Sequence, residues 1–125
     1  MCILNYKYMT YKEKATDLYN MINSGNLMDA FEKYYHQDVV MQEIGEEKRV
    51  GKEVNRAYEL KFLSMIKEVH GAGVPAMASD EENGIVFVEN WMDITFQDGN
   101  RINMAQVCVQ HWDGDLIVSE TFYHK

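Results

Sequence analysis

Two Asp-Gly pairs, Asp98-Gly99 and Asp113-Gly114, constrain the fold of this chain more than any other feature. Each pair separates stretches rich in β-branched and aromatic residues, which is the pattern of an antiparallel hairpin. The pairs therefore predict three consecutive long strands. Shorter stretches of the same kind predict two further strands earlier in the chain. The five predicted strands cover residues 39–44, 74–79, 85–96, 102–112 and 116–123.

Helical patterns precede the hairpins. Thr10 and Glu13 have the spacing of a capping box, and apolar residues then recur at helical intervals until Gly25. Asn26 is a candidate cap for a second, short helix. A third helix is expected after the charged loop 45–51, to end at Gly71. Its expected apolar stripe is Val54, Tyr58, Phe62, Met65, Ile66 and Val69. The predicted fold class is α+β, with three N-terminal helices packed on a curved, mostly antiparallel sheet.

The composition fits one globular domain. The 125 residues carry a formal net charge of −8, which repels phosphate backbones and disfavours nucleic acid as a partner. No apolar run is long enough to span a membrane, so no membrane partner is expected. Cys2 and Cys108 are too few for a disulfide scaffold, which favours a cytoplasmic location. We expect an N-terminal extension over residues 1–9 and a single domain over residues 10–125.

Side chains alternate between the faces of each predicted strand. Counting back from the two turns places Cys108 opposite Ser119 and Glu89 near Cys108. One face then gathers aromatic, amide and acidic side chains, which is typical of a pocket for a small hydrophobic or aromatic molecule. The expected members of this face are Glu89, Trp91, Asp93, Gln106, Cys108, Gln110, Trp112, Ser119, Thr121 and Tyr123. The other face is mostly aliphatic, and three helices can cover only one face. The sequence therefore predicts a homodimer through the aliphatic outer face of the sheet.

The order of these motifs resembles that of a known superfamily. The first helix is followed by Asn23-Ser24-Gly25-Asn26, and the second helix is followed by Asp38-Val39-Val40. A loop with Gly51-Lys52 then leads into a long helix. The last strands include the sequence Trp-Asp-Gly-Asp-Leu-Ile-Val at residues 112–118. This order is similar to the SnoaL-like branch of the nuclear transport factor 2-like superfamily, from about Thr10 to Tyr123. The resemblance implies a cone-shaped fold with a deep pocket at its open end. Such proteins include ketosteroid isomerases, polyketide cyclases, dehydratases, hydrolases and binding modules, and many are homodimers.

The same resemblance implies a role for one carboxylate. In the ketosteroid isomerases a carboxylate at the end of the first strand moves the substrate proton, and Glu43 occupies that place. In those enzymes a tyrosine and an aspartate hold the oxyanion. The corresponding positions in this chain are Leu18 for the tyrosine and a position near Cys108 for the aspartate. Leucine has no donor and a thiol is a weak one, so the resemblance does not extend to that oxyanion site.

Glu43 and Glu89 are the candidate catalytic acids and bases, because burial in an apolar pocket would bring a carboxyl into the range for proton transfer near neutral pH. The alternatives are a solvated carboxylate for Glu43 and a structural hydrogen bond for Glu89. Trp91 and Trp112 either line the pocket or pack in the core. Gln106 and Gln110 either face the ligand or hydrogen-bond to each other or to the backbone. The other candidate lining residues are Tyr19, Tyr58, Phe62, Cys108, Thr121 and Tyr123.

Three functions remain open from the sequence. The first is a cofactor-independent isomerase, cyclase or hydratase that acts on a small hydrophobic substrate, with Glu43 as the base. The second is a module that binds such a molecule without chemistry, and the third is a dimeric interaction domain. The four histidines show no metal-ligand spacing, and no glycine-rich phosphate loop opens a helix. We therefore expect no metal and no cofactor.

Overall fold

The computed structural model describes residues 9–125 and shows three helices on a six-stranded sheet. Apart from Met9, the predicted extension lies outside the described residues. The helices are α1 (Tyr11–Asn23), α2 (Leu27–Tyr34) and α3 (Lys52–Met65). The strands are β1 (Tyr35–Glu43), β2 (Arg49–Val50), β3 (Ile66–Asp80), β4 (Ile85–Phe96), β5 (Arg101–Asp113) and β6 (Leu116–Tyr123). None of the helices in this range is long and apolar enough to cross a membrane.

The strand order in the sheet is β2-β1-β6-β5-β4-β3. Only β1 and β6 run parallel; every other neighbouring pair is antiparallel. The predicted α+β class and the mostly antiparallel sheet are therefore confirmed. β1 and β2 lie between α2 and α3 in the chain, and β2 forms within the segment that the sequence indicated as a charged loop.

Local signals predicted the start of α1 correctly. The Thr10 hydroxyl accepts a hydrogen bond from the Glu13 backbone N–H at 3.0 Å, and the Glu13 carboxylate accepts one from the Thr10 N–H at 2.8 Å. This reciprocal pair is the predicted capping box. Asn26 does occupy the N-cap of α2, but its side chain makes no capping hydrogen bond.

The predicted end of α3 at Gly71 is wrong, because the helix ends at Met65. Ile66 begins β3 and lies opposite Phe96 of β4. Gln97 fixes this transition: its backbone N–H donates to the Met65 carbonyl at 2.8 Å and its side chain donates to the Ile66 carbonyl at 3.0 Å. β3 is consequently much longer than the predicted strand over 74–79. Pairing with a partner about thirty residues away overrides the helical pattern.

The predicted register between β4 and β5 is wrong by one residue. Val88, and not Glu89, lies opposite Cys108. The loop between the strands contains three residues, 97–99, because the Phe96 N–H donates to the Asn100 carbonyl at 2.8 Å. The prediction assumed a two-residue loop. Since side chains alternate, this single residue moves every side chain of β4 to the other face relative to β5.

The register between β5 and β6 also differs from the prediction. Cys108 lies opposite Phe122 instead of Ser119, and the register shifts between His111 and Trp112. An irregularity of this kind moves the following side chains to the other face. The inner face of β6 therefore carries the buried Glu120, with Phe122 on the same face.

The hydrophobic core lies between the helices and the inner face of the sheet. It includes the aliphatic residues of β4 that the sequence assigned to the outer face, Val86, Val88 and Ile94, all of which are fully buried. The predicted aliphatic outer face is thus incorrect for β4. The outer face of the sheet instead carries partly exposed large side chains such as Phe87, Val107 and Tyr123.

Two glycines with positive φ allow a test of this packing. Gly84 (φ 68°) lies in the turn before β4, where an added Cβ would approach the Trp112 carbonyl oxygen to 2.8 Å. Gly99 (φ 90°) has open space around it. We expect Gly99→Ala to lower the free energy of unfolding by about 1 kcal/mol through backbone strain alone. Gly84→Ala should lower the free energy of unfolding by about 2 kcal/mol more than Gly99→Ala does, because the added methyl group would crowd the Trp112 carbonyl oxygen. Urea unfolding of both variants measures the difference, and equal losses would contradict this packing.

Candidate functional site

A central cavity of about 150 Å³ opens between the three helices and the inner face of the sheet. Its wall is mainly apolar and aromatic, with amide and carboxyl groups at a few points. Its lining residues include Tyr19, Phe31, Tyr35, Glu43, Tyr58, Glu59, Phe62, Asn90, Trp91, Gln106 and Phe122. An apolar cavity of roughly this volume holds one benzene-sized ring. The enclosed space therefore suits a small molecule or one ring of a larger one.

Glu43 lies at the end of β1 and faces the cavity. Its side chain is only 17% exposed. The Tyr58 hydroxyl donates to one carboxylate oxygen at 3.4 Å, and the Nε2 atom of His124 lies 3.3 Å from the other. Both contacts are long, which leaves the carboxylate able to accept a closer donor. The hydrogen bond to the Lys125 carbonyl and then the charge of Glu43 raise the pKa of His124.

Glu59 is the second carboxyl of the cavity, and α3 places it one residue after Tyr58. Burial, followed by the charges of Glu120 and Glu43, raises its pKa to about 7, although the guanidinium of Arg49 acts in the opposite direction. Among the described residues none donates a hydrogen bond to this carboxyl. A carboxyl that titrates near neutral pH can both give and take a proton.

Glu120 is a third acid, but it is satisfied by the protein. It is fully buried on β6, where the Tyr35 hydroxyl donates to one oxygen and the Gln110 amide donates to the other at 2.9 Å. The indole N–H of Trp112 in turn donates to the Gln110 carbonyl oxygen at 3.1 Å. Burial raises the pKa of Glu120 to about 7 despite these hydrogen bonds. Glu120 is therefore a structural acid behind the cavity wall.

A second hydrogen-bonded group involves Cys108. The Tyr19 hydroxyl donates to its sulfur at 3.2 Å, and the Asn90 amide donates to it at 3.3 Å. Gln106 then donates to the Asn90 carbonyl oxygen at 3.1 Å. Burial raises the pKa of the Cys108 thiol far above its usual range. The thiol is therefore protonated and unreactive at neutral pH.

Arg49 lies behind Tyr58. Its guanidinium is 3.6 Å from the centroid of the Tyr58 ring, and its Nε donates to the Asn55 carbonyl oxygen at 3.0 Å. The fully buried Asn55 also donates to the backbone carbonyls of Arg49 and Gly51. This clamp joins β2 to α3 and fixes the ring that contacts Glu43. Within residues 9–125, no three His, Cys, Asp or Glu side chains group closely enough to hold a metal ion.

Solved structures of other proteins share this arrangement of helices and sheet. A protein from Mesorhizobium loti, provisionally described as a SnoaL-like polyketide cyclase, is 27% identical, with a TM-score of 0.80 over 93% of this chain and 100% of that one. A provisionally described polyketide cyclase from Pseudomonas putida is 16% identical, with a TM-score of 0.80 over 94% and 92%. A nuclear transport factor 2-like protein of unknown function from Burkholderia pseudomallei is 12% identical, with a TM-score of 0.77 over 94% and 92%.

The chain has the SnoaL-like, nuclear transport factor 2-like fold. No protein-family model matches the sequence, and no curated protein is similar enough to count as a relative. The resemblance seen in the sequence is thus confirmed at the level of the fold. SnoaL-like architecture by itself does not specify an activity.

The structure places only part of the predicted site residues at the cavity of this SnoaL-like fold. Glu43, Tyr19, Tyr58, Phe62 and Gln106 all border it. Cys108, Gln110 and Trp112 are on the inner face but are buried in the core behind the wall.

The other predicted residues lie away from the cavity. Glu89 is exposed on the outer face, opposite Val107, and Tyr123 is 46% exposed. Thr121 is paired with Gln42 and Val109 and does not border the cavity. Trp91 borders it, yet its indole covers the glycines of β3, so that a Cβ on Gly73 would lie 2.7 Å from the indole nitrogen.

Sequence reasoning missed Glu59, Tyr35 and Glu120. A signal for Glu59 exists in α3, since Asn55, Glu59 and Phe62 share one helical face. The predicted stripe began one residue earlier, at Val54, which is 53% exposed. Glu120 was missed because the predicted register placed it on the outer face.

The raised pKa of Glu120 predicts the pH dependence of stability. The folded state binds the proton more tightly than the unfolded chain, whose glutamate titrates near 4.5. The stabilisation is therefore complete below about pH 4.5 and is lost as the pH rises through about 7. A shift of this size corresponds to about 3 kcal/mol. We expect Glu120→Gln, which mimics the protonated acid, to flatten this decline in urea unfolding between pH 5 and 8. Exposed Glu82 provides the control: Glu82→Gln should keep the wild-type profile. An equally steep decline in Glu120→Gln would contradict the assignment.

Proposed function

We propose that this protein is a cofactor-independent enzyme that moves a proton on a small, largely apolar molecule held in the central cavity. Isomerisation, cyclisation and hydration all belong to this class of chemistry. The observation that carries the proposal is the position of Glu43, a largely buried carboxylate that faces the cavity with only long contacts to Tyr58 and His124. Such a group is available to accept a proton from a bound substrate.

Glu59 supports the same proposal. It borders the cavity together with Glu43 and has a pKa raised to about 7. At neutral pH a substantial fraction of Glu59 is protonated and can donate a hydrogen bond to an oxygen that gains negative charge. Two carboxyls with different environments can divide the roles of base and acid between them. The cavity would correspond to the open end of the cone that the resemblance implies.

The proposal is tested by deuterium exchange at the α-carbon of cyclohexanone in D₂O, followed by proton NMR. This ketone is small enough for the cavity, and exchange reports proton abstraction without knowledge of the product. We expect the wild-type protein to exchange the α-protons faster than buffer alone. Glu43→Gln should lower the rate enhancement by about a hundredfold or more, because the base is lost.

Two further variants make this test specific. Tyr58→Phe removes one hydrogen bond to Glu43 and should change the rate less than Glu43→Gln does. Glu89→Gln changes the exposed carboxyl on the outer face and should keep the wild-type rate. Thermal unfolding establishes that each variant is folded. The proposal fails if wild-type protein gives no exchange above buffer, or if Glu43→Gln retains it.

A non-catalytic ligand-binding protein is the second candidate. This candidate is favoured by the residues at the two positions that the resemblance assigns to oxyanion binding. Leu18 has no hydrogen-bond donor, and Cys108 carries a buried, protonated thiol. For this candidate, cyclohexanone raises the melting temperature without any exchange of its α-protons.

We also propose a homodimer formed through the outer face of the sheet. Phe87, Val107 and Tyr123 share this face and are each at least 40% exposed. A second copy would cover these side chains. Light scattering after size exclusion should give twice the chain mass of 14.6 kDa. Val107→Glu should shift the protein toward the monomer, and a wild-type mass of one chain would overturn this proposal.

A further inference from the structure

The carboxyl of Glu59 has no partner. It borders the cavity, yet within residues 9–125 no side chain or backbone group donates a hydrogen bond to it, and no cation forms an ion pair with it. Buried and partly buried polar groups in proteins nearly always have a partner. Glu120 in the same interior follows this rule, with two donors of its own. The donor for Glu59 is therefore either water or a polar group of the molecule that occupies the cavity.

The other groups of the cavity wall indicate the charge of that donor. Glu43 and Glu59 are the acids among the lining residues, and none of the described lining residues is Lys, Arg or His. Aromatic rings surround the same space, and a cation gains energy against the face of a ring. These rings are Tyr19, Phe31, Tyr35, Tyr58, Phe62, Trp91 and Phe122.

We propose that the central cavity binds a small molecule that carries a protonated amine, with the ammonium group donating to Glu59 near the charge of Glu43 and the apolar body among the rings. This inference concerns the same cavity as the proposed function and names the class of molecule that occupies it. It uses Glu59 as a counter-ion, whether or not Glu43 then moves a proton.

The titratable groups around Glu59 set its pKa, and this pKa determines whether amine binding releases a proton. These groups are Glu43 from β1, Arg49 from β2, Glu120 from β6 and the hydroxyls of Tyr19 and Tyr35. Arg49 lies behind the Tyr58 ring and does not border the cavity, and despite its charge the pKa of Glu59 is about 7. A bound ammonium would lower that pKa. Amine binding at pH 7 should therefore release about half a proton per site.

Isothermal titration calorimetry with benzylamine tests the inference. Titrations at pH 7 in phosphate and in MOPS, two buffers with different ionisation enthalpies and no net positive charge, give the number of protons released. Benzyl alcohol and benzoate are the neutral and anionic probes of matched size. We expect benzylamine to bind at least tenfold more tightly than either and to release about half a proton. Equal affinity for benzylamine and benzyl alcohol would overturn the inference.

Variants locate the effect at one carboxyl. Glu59→Gln should abolish the proton release and weaken benzylamine binding at least tenfold, while leaving benzyl alcohol binding nearly unchanged. Glu53→Gln is the matched control on the same helix, because the Glu53 side chain is 80% exposed and its ion pair is with Arg56. Unaltered benzylamine affinity in a folded Glu59→Gln protein would contradict the assignment.

The calorimetric result and the deuterium-exchange result are separable. Benzylamine binding with proton release, but no exchange of cyclohexanone protons, supports the amine site and contradicts proton transfer. Exchange without preferential amine binding supports proton transfer and overturns the amine site.

Discussion

The pairing of β4 with β5 is the constraint on which the rest of the interior depends. Val88 lies opposite Cys108, and this register is set by the three-residue loop at 97–99. It directs the aliphatic residues of β4 into the core and brings Asn90 next to Gln106 at the cavity wall. A register shifted by one residue would instead turn Glu89 toward the helices and expose Val88, at a cost of about 2 kcal/mol for each large apolar side chain lost from the core.

The interior encloses acids in two different ways. Glu120 is held by Tyr35 and Gln110 and is part of the packing that supports the wall. Glu59 lies near enough to Glu120 for that charge to raise its pKa, but no described residue donates a hydrogen bond to Glu59. The contrast separates a structural carboxyl from a functional candidate, although burial raises both pKa values to about 7. Satisfied polar groups rigidify a core, whereas an unsatisfied one at a cavity indicates a binding role.

The sequence predicted what is decided locally. The capping box of Thr10 and Glu13 joins residues three apart, so its signal lies within one turn. The class of the fold followed from two Asp-Gly turns. The end of α3 could not be found in this way, because Ile66 leaves the helical pattern to pair with Phe96.

The site was predicted less well than the fold, for a similar reason. Which side chains of a strand point inward depends on whether the loop to the neighbouring strand has an even or an odd number of residues. The loop before β5 has one residue more than predicted, so the predicted inner and outer faces of β4 were exchanged. Glu43 does border the cavity, and it was singled out by the family resemblance, which depends on the end of β1 and not on the register between strands. Glu59 was missed because the predicted apolar stripe of α3 began at the exposed Val54, whereas the buried Asn55 one residue later shares a helical face with Glu59.

Glu59 is a half-buried carboxyl at the cavity that has no hydrogen-bond donor among the described residues. Selective ¹³C labelling of glutamate side chains allows its carboxyl resonance to be followed from pH 4 to 9, with Glu59→Gln providing the assignment. We expect an inflection at about pH 7 for the protein without ligand. An inflection at the ordinary glutamate value of 4.5 would show a solvated carboxyl and would contradict the proposed role of Glu59.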